Sequence, residues 1–283
     1  MEPNTTLTLP TPKGPWTVAF PREKLLARGR LPGAYGYDLA AHAFRRARAA
    51  GVPALELLAA ALPTSWMVNA RAPSPVFQRW LQAPLRPAWE ALLGALSQGP
   101  DGWLGAPRAL RDGAADAVEA LSLDGHGATA VSKVLALLCP EAMPLLDDAA
   151  VAKVTGLVPA PTTADAPTVA PAHVPPTLDA FCGAVLAQEG ALIALARGYP
   201  TAPLDAAQVL DRLLWFESWG WRLFAPADPE APRWCHVRDG MAEAIVPVPG
   251  PHPPMAPGAC VDLLTVDDRR WVSAARESLA GAE

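Results

Sequence analysis

Several features that mark common protein classes are missing from this sequence. No apolar run reaches the ~18 residues that a membrane-spanning helix needs. The first fifteen residues, MEPNTTLTLPTPKGP, have neither the basic nor the apolar region of a secretory signal. We therefore expect a soluble, cytoplasmic protein that makes no contact with a membrane.

Cysteine is scarce, and its spacing is uninformative for metal binding. The four cysteines fall in separate segments without a CxxC pair, which argues against a zinc ribbon or a dense disulfide framework. We expect buried free thiols at Cys139, Cys182, Cys235 and Cys260. The sequence also lacks a GxGxxG after a strand, a GxxxxGK[ST] loop, an HExxH pair and a GxSxG elbow. It therefore predicts neither a metal site nor a cofactor.

What the sequence does contain is a globular composition with an uneven distribution of charge. Of its 283 residues, 51% are hydrophobic and 18% charged, which suits one large domain or two ordinary ones. Residues 1–112 hold 13 Lys and Arg against 7 Asp and Glu, whereas residues 113–283 hold 10 against 21. The basic half could neutralise the phosphates of DNA. Alternatively, its arginines are solvated or face the acidic half, and the overall net charge of -5 favours this second reading.

The spacing of apolar residues, and the residues that typically begin and end helices, predict a mainly α fold with three parts. Residues 1–37 form an N-terminal arm, with a poorly ordered tail over residues 1–13 and either a short strand or an extended segment over residues 16–20. Residues 38–218 form an all-α domain that includes a Pro/Ala-rich loop at 157–176. Residues 219–283 form a Trp/Pro-rich appendage with short strands and a terminal helix. Within the helical part, we expect two helices to be capped by Asp38 and Asp205.

One stretch, residues 121–157, has the pattern of a ligand site: LSLDGHGATAVSKVLALLCPEAMPLLDDAAVAKVTGL. Gly125 and Gly127 bracket a tight turn before a helix over residues 128–138, and a phosphate would fit at such a helix start. The acids Asp147 and Asp148 stand just before a second helical run. They could act chemically, or simply cap that helix and interact with its dipole.

This order of residues resembles the helix-hairpin-helix DNA glycosylase superfamily. Within that superfamily it looks more like uncharacterised bacterial proteins than like the repair enzymes. The pattern that they carry is SKVL, two prolines, aspartate and valine, here Ser132-Lys133-Val134-Leu135, Pro140, Pro144, Asp148 and Val151. A looser resemblance covers Asp205–Trp215. The resemblance implies a helix-hairpin-helix helical domain, double-stranded DNA as partner, and no cofactor.

The resemblance also implies roles for individual residues. Gly125 and Gly127 would hold a DNA phosphate, and Asp148, or Asp147 with a shift of one residue, would support attack at the sugar of a flipped nucleotide. Thr129 occupies the position of the lysine in members that also cleave the strand, so a monofunctional glycosylase is implied. The residues that we expect at the DNA are Gly125, His126, Gly127, Thr129, Lys133 and Arg71.

A second candidate segment is the irregular stretch SWMVNARAPSP at residues 65–75. Trp66, Asn69 and Arg71 could stack on or hydrogen-bond a base, or Trp66 could simply be a packing anchor. For the whole chain, the alternative to a DNA-binding repair or defence protein is a non-catalytic module that binds a protein partner, for instance in phage defence or toxin immunity.

Overall fold

The computed structural model of the protein describes residues 6–19, 21–28, 34–65, 74–123, 125–157, 169–199, 202–218, 221–224, 233–238, 241–247 and 260–261. Over these residues the protein is mainly helical, which confirms the predicted class. Its buried apolar side chains form one continuous cluster that extends from Leu7 to Leu214. The helices on both sides of residues 158–168 therefore contribute to the same core.

The described ranges contain twelve α-helices and six β-strands. The helices are α1 Pro21–Arg28, α2 Ala34–Ala49, α3 Ala54–Thr64, α4 Ser74–Trp80, α5 Arg86–Leu96, α6 Gly99–Gly105, α7 Arg108–Leu121, α8 Ala128–Leu138, α9 Asp148–Thr155, α10 Val174–Ala187, α11 Glu189–Leu195 and α12 Ala206–Ser218. The strands are β1 Thr6–Leu9, β2 Trp16–Ala19, β3 Trp221–Phe224, β4 Arg233–Arg238, β5 Met241–Pro247 and β6 Cys260–Val261.

The first two strands form an antiparallel hairpin. Thr6–Leu9 alternates threonine and leucine, and this two-residue period turns Leu7 and Leu9 into the core while both threonines face outward. The prediction of a poorly ordered tail is therefore wrong for residues 6–9. The prolines nearby favour irregular structure, but the short alternation of threonine and leucine forms a strand. Of the two alternatives for residues 16–20, the structure has the strand, over Trp16–Ala19.

The two predicted caps have different outcomes. The helix α2 begins at Ala34, so Asp38 lies inside it and does not cap it; its buried carboxylate is bound by a distant arginine instead. Asp205 does cap α12. Its Oδ1 accepts the N–H of Gln208 at 2.9 Å, and Gln208 Oε1 accepts the N–H of Asp205 at 3.2 Å. This reciprocal pair satisfies two N–H groups that the helix start would otherwise leave unpaired.

The helix α8 runs through the middle of the core. Nine of its eleven side chains are buried, which is typical of a helix that is surrounded by others. The two exceptions are Thr129 and Lys133, which lie four residues apart and so share one face. That face is the part of α8 that remains accessible next to the preceding turn.

The last four strands form one antiparallel sheet in the order β5-β4-β3-β6. Strands β3 and β4 pair from Trp221 opposite His236 to Phe224 opposite Arg233, and β4 pairs with β5 with one irregularity after His236. Short strands are thus present where the sequence predicts them. The predicted terminal helix falls on residues 263–279, which lie outside the described residues, and the division into three parts stays a prediction.

Candidate functional site

The turn between α7 and α8 is built from local backbone contacts. The N–H of His126 donates to Leu123 O at 2.8 Å, and the N–H of Leu123 donates to His126 O at 3.1 Å. Gly125 has a φ of 78°, which a side chain would strain. Gly127 then caps α8, and its carbonyl accepts the N–H groups of Ala130 and Val131. The predicted order of helix, tight turn and helix is therefore present.

The residues predicted to contact DNA are only partly described. His126, Thr129 and Lys133 are half-buried beside the turn, and the Oγ1 of Thr129 is buried without a hydrogen-bond partner. Gly125 is exposed and Gly127 is buried. Asp124, Trp66, Asn69 and Arg71 lie outside the described residues.

The two aspartates occupy different positions at the start of α9. Asp147 is the N-cap: its Oδ1 accepts the N–H of Ala150 at 2.7 Å. Asp148 is the first helical residue and is half-buried. Burial, followed by the nearby charge of Asp147, raises the pKa of Asp148. One carboxylate is thus engaged by the backbone, and the other has an environment that disfavours its ionised form.

The segment that leads into the aspartate pair returns to the middle of α8. The chain leaves α8 at Leu138 and returns along it, because the N–H of Leu146 donates to Ser132 Oγ at 3.0 Å. Ser132 follows Gly127 by five residues, about 7 Å along a helix axis. The structure therefore returns the residue before Asp147 to the second turn of α8.

Next to the segment that leads into the aspartates lies a buried ionic network that is not among the sequence-based predictions. Arg212 donates to Asp38 Oδ1 from Nε at 3.0 Å and from Nη2 at 2.6 Å, and it also donates to Asp211. The hydroxyl of Tyr199 donates to Asp38. Asp211 Oδ1 in turn accepts the N–H of Leu145 at 2.7 Å. The network thus reaches from α2, through α12, to the segment that leads into the aspartate pair.

Electrostatics in this network are dominated by burial and by compensating charge. Burial alone would raise the pKa of Asp38, but Arg212 and Arg28 outweigh it and lower that pKa. Burial would lower the pKa of Arg212, whereas Asp38 and Asp211 raise it well above its usual value. Burial raises the pKa of Asp211. The sequence does contain one signal for this network, a charged Asp-Arg pair inside the apolar run VLDRLLW. Charges at buried positions require partners, so such a pair indicates an ionic contact in the core.

A second ionic contact joins α1, α9 and α12. Glu217 pairs with the buried Lys24, and Lys153 Nζ donates to the carbonyl oxygen of Glu217 at 3.2 Å. Together with the contact between Leu145 and Asp211, this places α9 and α12 side by side in the same direction. Nearby, the guanidinium of Arg28 lies 4.6 Å from the ring centre of Trp215, and its Nε has no hydrogen-bond partner.

A cavity of about 600 Å³ lies at the opposite end of α8. Arg48 lines this open cavity and donates to Leu138 O at 2.6 Å, to Ser97 O at 3.2 Å and to Glu141. The charges at this end are therefore already paired. Beside it, burial raises the pKa of the Cys139 thiol to about 12. Cys139 is a buried free thiol, as predicted, and so is Cys182.

Comparisons with other proteins give no family for this chain: no protein-family model, no curated protein and no solved structure matches it. Within the described ranges, no single helix has both the length and the apolar character needed to cross a membrane. The pair Pro171–Ala187 and Glu189–Leu195 passes on length and composition only when its two parts, bent by 79°, are taken together.

Proposed function

We propose that the protein is a DNA-binding, glycosylase-like protein that acts on a flipped nucleotide in repair or defence. The observation that carries this proposal is that the chain, after it leaves α8, returns to the second turn of that helix directly before Asp147, while the tight turn lies at the start of the same helix. A phosphate-sized anion at the start of α8 and an acid at the start of α9 can then contact one bound strand. The corresponding fold is a helix-hairpin-helix, glycosylase-like domain at residues 38–218.

In this proposal the turn holds the DNA backbone. The first N–H groups of α8 point out of the helix end, where the helix dipole favours an anion. Lys133 lies half-buried on the accessible face of the same helix, where its ammonium group could contact an adjacent phosphate, whereas the hydroxyl of Thr129 is buried. Because the cap leaves Asp147 bound to Ala150, Asp148 is the better candidate for the chemical role.

Asp148 would stabilise positive charge on the sugar while the bond between sugar and base breaks. Water then adds to the sugar carbon and loses a proton, and the base leaves with the bonding electrons and takes up a proton. Thr129 cannot form the Schiff base that a lysine would form with the opened sugar. The reaction therefore stops at base release, without strand cleavage.

The test measures duplex affinity against salt concentration and base release from the same duplexes. We expect a negative slope of log affinity against log salt, shallower when several arginines of residues 1–112 are neutralised. We expect base release from a duplex with a deaminated, oxidised or alkylated base, and loss of release in Asp148→Asn. No binding at low salt would remove the DNA-binding proposal, and equal release by parent and Asp148→Asn would remove the role of Asp148.

The second candidate is a non-catalytic module that binds a protein partner. It is favoured by the cap geometry, because Asp147 has an entirely structural contact and Asp148 occupies a position where acids commonly stabilise a helix start. The surplus of acidic residues in 113–283 also suits a basic protein better than DNA. The salt titration separates the two, since this candidate requires no affinity for duplex DNA.

A further inference from the structure

Between α8 and α9 the chain runs through the core as an irregular segment, so its backbone lacks the regular hydrogen bonds of a helix or a sheet. Residues 142–146 are all buried, and a buried N–H without a partner costs about 1–3 kcal/mol. The first two N–H groups of this segment donate to Cys139 O at 3.1 and 3.0 Å, and Pro144 has none to place. The N–H groups of Leu145 and Leu146 therefore need acceptors from elsewhere in the protein.

Two buried side chains from other helices supply these acceptors. Asp211 Oδ1 accepts from Leu145 at 2.7 Å, and Ser132 Oγ accepts from Leu146 at 3.0 Å. Asp211 is 4% exposed and Ser132 is fully buried. The hydroxyl proton of Ser132 is donated to Thr129 O at 2.9 Å, so its oxygen is oriented to accept. Each backbone N–H from residue 142 to 146 thus has one defined partner.

These contacts connect the turn to the aspartate pair. Thr129 belongs to the first turn of α8, and Leu146 directly precedes Asp147, so Ser132 joins the two with a pair of hydrogen bonds. Asp211 is itself held by Arg212, whose other partner is Asp38 in α2. The position of the segment is therefore set from two sides.

We propose that Ser132 and Asp211 are positioning residues, which fix the place of Asp147 and Asp148 relative to the turn at Leu123–Gly127. The inference rests on the proposed function, since it assigns both residues to that site. Neither side chain would touch DNA. Both act through the backbone of Leu145 and Leu146, and a shift of the segment by one residue would exchange the two aspartates.

The first measurement is made by NMR on the full chain without DNA. In Ser132→Ala we expect the Leu146 amide to exchange with solvent about tenfold faster, the effect of losing one hydrogen bond. We also expect the carboxyl titration of Asp148 to move down toward its ordinary value, because a looser segment admits water. The matched control is Ser122→Ala, whose hydroxyl donates to Val118 O at 2.8 Å in the preceding helix. It should leave both quantities unchanged.

A second pair of variants separates position from charge at Asp211. Asp211→Asn keeps an oxygen that can accept from Leu145, whereas Asp211→Leu removes it. We expect slow exchange of the Leu145 amide in the first variant and fast exchange in the second. If Asp211→Leu does not fold, the comparison between Ser132→Ala and Ser122→Ala decides the proposal.

The third measurement is base release and affinity with the duplexes described above. We expect Ser132→Ala to lower kcat about tenfold with unchanged duplex affinity, since the turn is intact. If the parent protein releases no base, the proposed function fails, while amide exchange and titration still decide the positioning role. Identical exchange and titration in Ser132→Ala and the parent, or equal changes in Ser122→Ala, would overturn the inference.

Discussion

The turn at Leu123–Gly127 and the network around Arg212 are held in place by opposite means. The turn is closed by two backbone hydrogen bonds between residues three apart, and its central glycine is exposed. The network joins Asp38 to Arg212 across 174 positions of sequence, and both side chains are almost completely buried. A substitution in the turn should therefore weaken duplex binding at a limited cost in stability. A substitution in the network should instead lower the free energy of unfolding.

The largest expected effect is the loss of Arg212. Replacing it with methionine keeps much of its volume but removes the guanidinium that donates two hydrogen bonds to the buried Asp38. Breaking a buried pair in this way typically costs about 3–5 kcal/mol of unfolding free energy. Chemical denaturation followed by tryptophan fluorescence measures this cost.

Arg86→Met is the matched control for that substitution. Its guanidinium pairs with Glu90 at 2.9 Å, but both side chains are more than half exposed. An exposed pair of this kind contributes about 0–1 kcal/mol. Similar losses of unfolding free energy in the two variants would show that burial does not make the Arg212 network more important for stability than an exposed ion pair. The contrast with the turn would then disappear.

The second prediction concerns the turn itself. Gly125→Ala places a side chain at a φ of 78°, which costs about 1 kcal/mol. Gly51→Ala is its control, because Gly51 has a φ of 92° with no atom within 4 Å of an added Cβ. We expect similar losses of stability in both variants, and weaker duplex binding in Gly125→Ala alone. Equal duplex affinities of the two variants would show that the turn is not part of the DNA-binding site.

The difference between the two regions also explains what the sequence could predict. Paired glycines before a helix former, and acids before α9, are local signals: they predict the turn, and they leave an N-cap open as one of the roles of the two aspartates, which Asp147 fills. The local context of Asp38, an acid before a helical run, predicts a cap. Its true partner is distant in sequence, and no local pattern identifies it. The predicted role of Asp148 and the DNA contacts stay predictions.

Ser132 is a second residue whose partner outside its own helix cannot be predicted from the local sequence. Its place in the SKVL pattern indicates no contact outside α8, because the hydroxyl of a serine on an apolar helix usually bonds back to its own helix. It does so here, to Thr129 O, and it also accepts from a residue fourteen positions further on. Only the path of the connection through the core reveals that second contact.

The smallest expected effect distinguishes the two aspartates through pH. In the folded protein, burial and Asp147 raise the pKa of Asp148 above its ordinary 3.8, so its ionisation opposes folding. This cost is absent below pH 3.8, develops as pH rises toward the raised folded pKa, and is constant above it. Asp148→Asn removes the cost, so we expect a gain in unfolding free energy at neutral pH of less than about 0.5 kcal/mol, given how strongly water screens this group.

The control for this pH comparison is Asp147→Asn. Asparagine also accepts a hydrogen bond at an N-cap, so this variant should keep the contact to Ala150 and relieve part of the repulsion on Asp148. Unfolding free energies measured from pH 3 to pH 7 should converge for the parent and Asp148→Asn at the acid end and separate as the pH rises. A loss of stability in Asp148→Asn at neutral pH would mean that its attraction to the start of α9 outweighs burial. Asp148 would then be a helix-stabilising acid like its neighbour, and the structural difference between the pair would no longer favour Asp148 for chemistry.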